Sequence, residues 1–335
     1  VGQGIDYKFF NYPPVTLLPL ALLARLPYLA AFLLFEAATL ALYLAVTTRI
    51  LRDRSVSAVI VLLGFPLVYW NFGLGQNGFL TAGLFGAATL LIDRRPVVAG
   101  LLFGLLCYKP QFALLVPLAL IAAAQWRALM AAAAAATALV LVSLALYGID
   151  TWTAWIAAAN SAPAMYQSGR ILFAGMANTF GGARLIGLAP PLAYGLQAAV
   201  SLAAAAIVVV MWRRRLSLPT RAAVLAAASV VAAPLALLYD LMLGAVAAAW
   251  LVRDSGAPYA RPWEKPALAA LYLVLLDGKG AADRWHLPIY PLAALLLFAL
   301  ATGRAWREAA HRPAAGRQRS RTRSGLLARE QQISM

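Results

Sequence analysis

Residues 128–147 read ALMAAAAAATALVLVSLALY, twenty consecutive positions without a charge, bounded by Arg127 before and Gly148 after. A helix rises about 1.5 Å per residue, so a run of about 20 apolar residues matches a hydrocarbon layer about 30 Å thick. The run shows no period-2 alternation of the barrel type. Backbone groups in lipid must be satisfied within the segment, so the structure expected is a transmembrane helix. The rest of the chain agrees. Of its residues 63% are hydrophobic and 12% charged, against about 45–50% apolar and about 25% charged in an ordinary soluble domain. A water-facing surface cannot be built from that pool. Further apolar runs lie near residues 28–48, 55–71, 77–92, 96–108, 111–125, 189–212, 219–237, 240–252, 266–277 and 287–302. With 128–147 they predict an all-α polytopic bundle of about eleven crossings. Residues 13–25, opened by Pro13-Pro14, are too short to span and read as a re-entrant half-helix. The body is expected over 1–302, with a long loop over 148–188 and a basic, disordered tail over 303–335.

Charge sets the orientation. The net charge is +16, which in a soluble protein would raise nucleic acid as a partner. Here Arg49, Arg52, Arg54, Arg94, Arg95, Arg127, Arg213, Arg214, Arg215, Arg221, Arg253, Arg261 and Lys265 fall in alternate connections, and the tail from Gly303 is rich in arginine. The positive-inside rule makes those connections and the tail cytoplasmic, with the basic tail near anionic lipid and no nucleic acid as partner. The polar clusters then converge on the other face: 6–14, Gly73 to Gly78, Tyr108 to Gln111, the 148–188 loop, Tyr239-Asp240, and 277–286. The long loop is rich in aromatic and amide groups, and exceeds what a connector needs.

Three of these clusters can carry chemistry. Gln76 and Asn77 stand between glycines in an apolar region, either as an interfacial turn or as the wall of a polar pocket. Lys109 precedes Pro110 inside a stretch otherwise apolar from Val97 to Ala124; an ammonium there must be paired, must snorkel, or must hold an anion such as a phosphate. Asp240 has apolar flanks on both sides and reads as a functional acid, as the N-cap of the helix that follows, or as both. Glu36, in mid-run, is read as a partner for another helix ahead of a catalytic group.

Several classes are set aside. The single Cys107 has no disulfide partner. His286 and His311 fall on opposite sides of the membrane, no metal-ligand spacing appears, and no cofactor is implied. No phosphate-binding loop of the nucleotide type exists. Gly100 and Gly104 suggest close helix packing.

Taken in order, Asn11-Tyr12-Pro13-Pro14, Gly75-Gln76-Asn77-Gly78-Phe79-Leu80, Asp93-Arg94-Arg95-Pro96, Tyr108-Lys109-Pro110-Gln111 and Leu238-Tyr239-Asp240-Leu241 resemble glycosyltransferase family 87. Its members are polytopic enzymes of the GT-C superfamily. The resemblance implies transfer of a hexose, mannose first among them, from a polyprenyl-phosphate donor to an acceptor hydroxyl on a glycolipid or glycan. The reaction would run at the periplasmic or extracellular face of a bacterial inner membrane, with the lipid bilayer itself as a partner. On the chemistry of that reaction Asp240 is the catalytic candidate, Lys109, Arg170 and Arg184 the donor-phosphate partners, and Tyr12, Gln76, Asn77, Gln111 and Tyr239 the sugar- or acceptor-binding groups. GT-C enzymes generally carry their principal base just after a first helix, so the resemblance also implies that such a helix and base stand upstream of Val1. The alternative class is a transporter or lipid flippase built on broken helices.

Overall fold

The computed structural model of the protein describes residues 12–161, 172–214 and 216–333, with side chains as far as His311. Every regular element among them is helical, and the sole β feature there is one antiparallel bridge between Met176 and Leu237. In chain order the helices are α1 (Leu17–Leu23), α2 (Tyr28–Leu51), α3 (Val56–Leu63), α4 (Pro66–Gly73), α5 (Gly78–Leu91), α6 (Pro96–Gly104), α7 (Pro110–Ala113), α8 (Leu115–Ala122), α9 (Trp126–Asn160), α10 (Thr179–Leu185), α11 (Pro190–Arg213), α12 (Leu218–Ala232), α13 (Met242–Arg253), α14 (Glu264–Val274), α15 (Gly278–Trp285) and α16 (Ile289–Ile333).

The sequence explains most of the boundaries. Pro66, Pro96, Pro110 and Pro190 open helices at positions where the missing N–H costs nothing. Ser55 caps α3 by accepting the Ala58 N–H at 3.2 Å. Gly148, with φ 74°, breaks α9 after the opening run, a conformation that glycine adopts without the Cβ penalty.

Eleven crossings are not recovered. Among the described residues four helices are long and apolar enough to span a membrane, namely Tyr28–Leu51, Trp126–Asn160, Pro190–Arg213 and Ile289–His311; α3 and α4, bent by 58°, make a fifth if taken as one broken span. The other apolar runs form shorter helices. Hydropathy is continuous through Gly64-Phe65-Pro66, inside the run 55–71, but the helix is not, because proline lacks the donor and its ring clashes with the preceding turn. The stretch opened by Pro13-Pro14 is short as expected, a single 3-10 turn followed by α1. The boundary placed at Gly303 falls inside α16, where Arg304 and Glu308 are buried.

At the centre stand α12 and α13. Every residue of α12 from Thr220 to Ala232 is buried, and so is most of α13. Alanine dominates both, which lets α2, α5, α11 and α16 approach closely. Where α6 crosses α9, a Cβ on Gly100 would meet the Ala128 carbonyl and one on Gly104 the Ala132 carbonyl, so the paired glycines serve the close packing that their spacing suggests.

Beyond the C-terminal end of α13 lies a polar cluster. Glu264 accepts from Arg304 (Nε at 2.8 Å) and is paired with Arg307, while Arg304 also donates to the Leu251 carbonyl at 2.5 Å. Glu308 accepts from the Ser217 N–H at 2.7 Å and the Ser217 hydroxyl at 2.9 Å, and Arg221 pairs with Asp93. The Tyr259 hydroxyl donates to Asp254 at 2.6 Å; burial first, and that bond second, push its phenol up to about 12, so it remains a donor at neutral pH.

Candidate functional site

The candidate site lies at the other end of α13, one helix length away, about 18 Å for 12 residues. The chain leaves α12 at Ala232, bends at Pro234-Leu235 and closes into a 3-10 turn over Leu238–Leu241. Asp240 holds this turn itself: its Oδ2 accepts the Leu237 N–H at 2.9 Å. The other oxygen, Oδ1, accepts from the Lys109 ammonium at 2.6 Å. Asp240 is thus a buried acid that also caps, though not as the N-cap of the helix that follows: Leu241 holds that position, and Asp240 reaches back from the third residue of the 3-10 turn to the Leu237 N–H.

Lys109 reaches that position because its own helix stops. A 3-10 turn over Leu105–Tyr108 ends at Lys109, whose backbone is extended at φ −134° and ψ 69°, and Pro110 starts the next helix. The residue before a proline is driven out of the helical region, so the Lys-Pro pair dictates the break. The Tyr108 hydroxyl is tied to Thr81 on α5 at 2.6 Å. Both members of the ion pair are buried, at 3% and 4% exposure. Around the ammonium stand aromatic faces, Tyr239 at 5.0 Å, Tyr12 at 5.6 Å and Phe112 at 5.7 Å. Cation–π attraction to a desolvated ammonium is worth about 2 kcal/mol or more at best, so the rings offset part of the cost of burying it.

The turn between α4 and α5 forms the next wall. Gly75 turns the chain at φ 59°. Asn71 then clamps the reversal, its Nδ2 donating to the Gln76 carbonyl at 2.8 Å and its Oδ1 accepting the Gly78 N–H at 2.7 Å. The Tyr12 hydroxyl donates to Gln76 Oε1 at 3.1 Å. Gly78 is packed so tightly that a Cβ there would meet Asn71 Oδ1 and lie 2.5 Å from the Tyr239 carbonyl oxygen. Asn77 is buried, and its Oδ1 has no hydrogen-bond partner among the described residues. A segment from the long loop completes the frame: the Ala177 N–H donates to the Ala236 carbonyl at 2.8 Å, and Asn178 Nδ2 to the Pro234 carbonyl at 2.6 Å.

The structure thus brings together Tyr12, Gln76, Lys109, Tyr239 and Asp240, with Asn77 in the adjoining turn. Gln111 is half-buried one residue beyond Pro110. Arg184 sits in the last turn of α10, donates to the Leu188 carbonyl and lies 5.2 Å from the Phe173 ring, so its described contacts lie away from the ion pair. Arg170 lies outside the described residues. Sequence reasoning passed over Asn71, whose signal was a lone amide in the aromatic run Tyr69-Trp70-Asn71-Phe72. It also passed over Thr81. Among the described residues no group of three or more potential metal ligands occurs.

An apolar groove of about 870 Å³ starts beside this site. Leu241, Gly244, Ala245, Ala248, Ala249 and Val252 form one wall, a stripe at helical spacing along the whole of α13. Tyr43, Phe65 and Leu275 also line it, and its far end is marked by Asp53 and Lys265.

Compared with known families, residues 9–239 match the model of glycosyltransferase family 87. The match takes in Tyr12, Gln76, Asn77, Lys109, Gln111 and Tyr239, and stops one residue short of Asp240. No curated protein and no solved structure matches the chain.

Proposed function

The chain belongs to glycosyltransferase family 87 and is a membrane glycosyltransferase; from that premise we propose that it moves a hexose, mannose first, from a polyprenyl-phosphate donor to the hydroxyl of a glycolipid or glycan acceptor. The observation that carries this reading is the buried Lys109–Asp240 pair beside an apolar groove that begins at Leu241, the residue after Asp240. A polyprenyl-phosphate sugar has a long hydrocarbon chain, an anionic phosphate and a polar sugar. The groove along α13 takes the chain, Lys109 meets the phosphate, and Gln76, Asn77, Tyr12 and Tyr239 face the sugar. The site end of the bundle is the periplasmic or extracellular face of a bacterial inner membrane, since the arginine-rich connections gather at the other end.

In the reaction the acceptor oxygen forms a bond to the anomeric carbon with inversion. The bond from that carbon to the phosphate oxygen breaks, and polyprenyl phosphate leaves with the electron pair. The Lys109 ammonium neutralises charge gathering on the leaving phosphate, in surroundings of low dielectric where that interaction is strong. Until donor arrives, Asp240 holds the ammonium in place. A phosphate that draws Lys109 toward itself frees Asp240 Oδ1, which then takes the acceptor proton as general base.

The test is transfer of labelled mannose from polyprenyl-phosphate mannose in isolated membranes. Lys109→Ala and Asp240→Asn are each expected to lower transfer by about 10²–10³-fold at unchanged protein level. Near-normal transfer by both variants would remove the pair from the site. Equal use of a glucosyl donor would replace mannose by a broader hexose specificity.

A further inference from the structure

We propose that Glu36, two helices away from the ion pair, is a positioning residue for the sugar-facing turn; the inference rests on the glycosyl-donor reading above. Glu36 lies in the interior of α2 and is fully buried, at 0% exposure. Its Oε2 faces the Asn71 amide at 3.5 Å, a long hydrogen bond, and its Oε1 has no partner among the described residues. A carboxyl inside a membrane-length helix is expensive, and such groups are kept where they serve a site.

The task it serves follows from Asn71. A side-chain amide offers two donors on nitrogen and an acceptor oxygen. One N–H of Asn71 goes to the Gln76 carbonyl, and the oxygen takes the Gly78 N–H. The second N–H points to Glu36. With that long tie added to its bonds to the turn, the amide plane is held by three contacts instead of two. Gln76 is thereby kept on Tyr12, and Gly78 against the Tyr239 carbonyl. Without it, Asn71 can rotate and the turn can withdraw from the aromatic residues around Lys109. Glu36 touches neither Lys109 nor Asp240 by any described contact, so its action is on geometry, through Asn71.

Two variants and two readouts decide this. Glu36→Gln keeps an acceptor oxygen in reach of Asn71, whereas Glu36→Leu removes it. In transfer from polyprenyl-phosphate mannose, E36L is expected to raise the donor KM by about tenfold with kcat less affected, and E36Q to stay within about twofold of wild type. Hydrogen exchange at the Gly78 amide, measured on the full chain in lipid nanodiscs, should quicken by about tenfold in E36L and not in E36Q. If E36L does not accumulate, Glu36→Ala carries the same measurements. Unchanged exchange and unchanged KM in E36L would overturn the proposal, and so would an E36Q as impaired as E36L, since that result demands the carboxyl itself. A wild-type protein that transfers no sugar from this probe would count against the donor reading alone, because the exchange readout would still show whether Glu36 holds the turn.

Discussion

The two ends of α13 bury charge in opposite ways. At its C-terminal end Glu264 is met by Arg304 and Arg307, Arg304 spends a further donor on the Leu251 carbonyl, and Glu308 is held by both polar groups of Ser217. The carboxylates of that cluster are each met by several donors from within it. At its N-terminal end the Lys109 ammonium has three N–H donors, yet its hydrogen bond among the described residues goes to one carboxylate oxygen, and aromatic faces take up the rest of its surroundings. Carboxylates matched in this way leave little for a ligand to displace. A pair with donors to spare, beside a groove, can exchange its partner for a phosphate. The comparison therefore sets charge matched within the fold against a buried pair with donors to spare.

The largest effect should come from the open end, where losing Lys109 or Asp240 is expected to lower transfer by about 10²–10³-fold without lowering the thermal midpoint by more than the loss of one buried ion pair allows. Equal damage to folding and to transfer would erase the distinction between the two ends. Next, Glu264→Ala leaves Arg304 buried without its carboxylate and should cost about 3–5 kcal/mol of stability, read by thermal unfolding in detergent. The protein that remains folded should transfer sugar at a near-normal rate; a selective loss of kcat would place this cluster in the mechanism. Gly78→Ala sets a methyl against Asn71 and the Tyr239 carbonyl, an overpacking expected to cost about 1–3 kcal/mol and to raise the donor KM. A silent G78A would mean that the turn and Tyr239 move apart easily. The smallest change is Tyr12→Phe, which removes the bond to Gln76 and should raise KM by roughly fivefold, for about 1 kcal/mol.

Lipid exposure gives a second contrast. In the spanning window of α9 only 6% of residues are buried, whereas α12 is buried from Thr220 to Ala232. Both read as apolar runs rich in alanine. Hydropathy cannot tell lipid from protein interior, because a methyl group is equally content in either, and for this reason the crossing count drawn from apolar runs exceeded the helices that are long enough to span. Arg304 shows the same limit from the polar side: it reads as the first charge of a solvated tail, yet it is buried at 1% exposure against Glu264.

What the sequence determined by itself was local: the all-helical class from the length and uniformity of its apolar runs, helix starts near Pro96, Pro110 and Pro190, the break at Lys109-Pro110, and the suspicion attached to Lys109 and Asp240 because charge among apolar neighbours is expensive. The tertiary structure alone decided that these two residues, 131 positions apart, are each other's partner. It also decided that Asn71 clamps the glycine turn, that Glu36 reaches Asn71, and that Arg184 turns to Leu188 and Phe173. The physical reason is range. Helix propensity, proline sterics and hydrophobic burial act within a turn or two of the chain. A hydrogen bond or ion pair needs its atoms within about 3 Å, and which distant residues come that close is set only when the helices have packed.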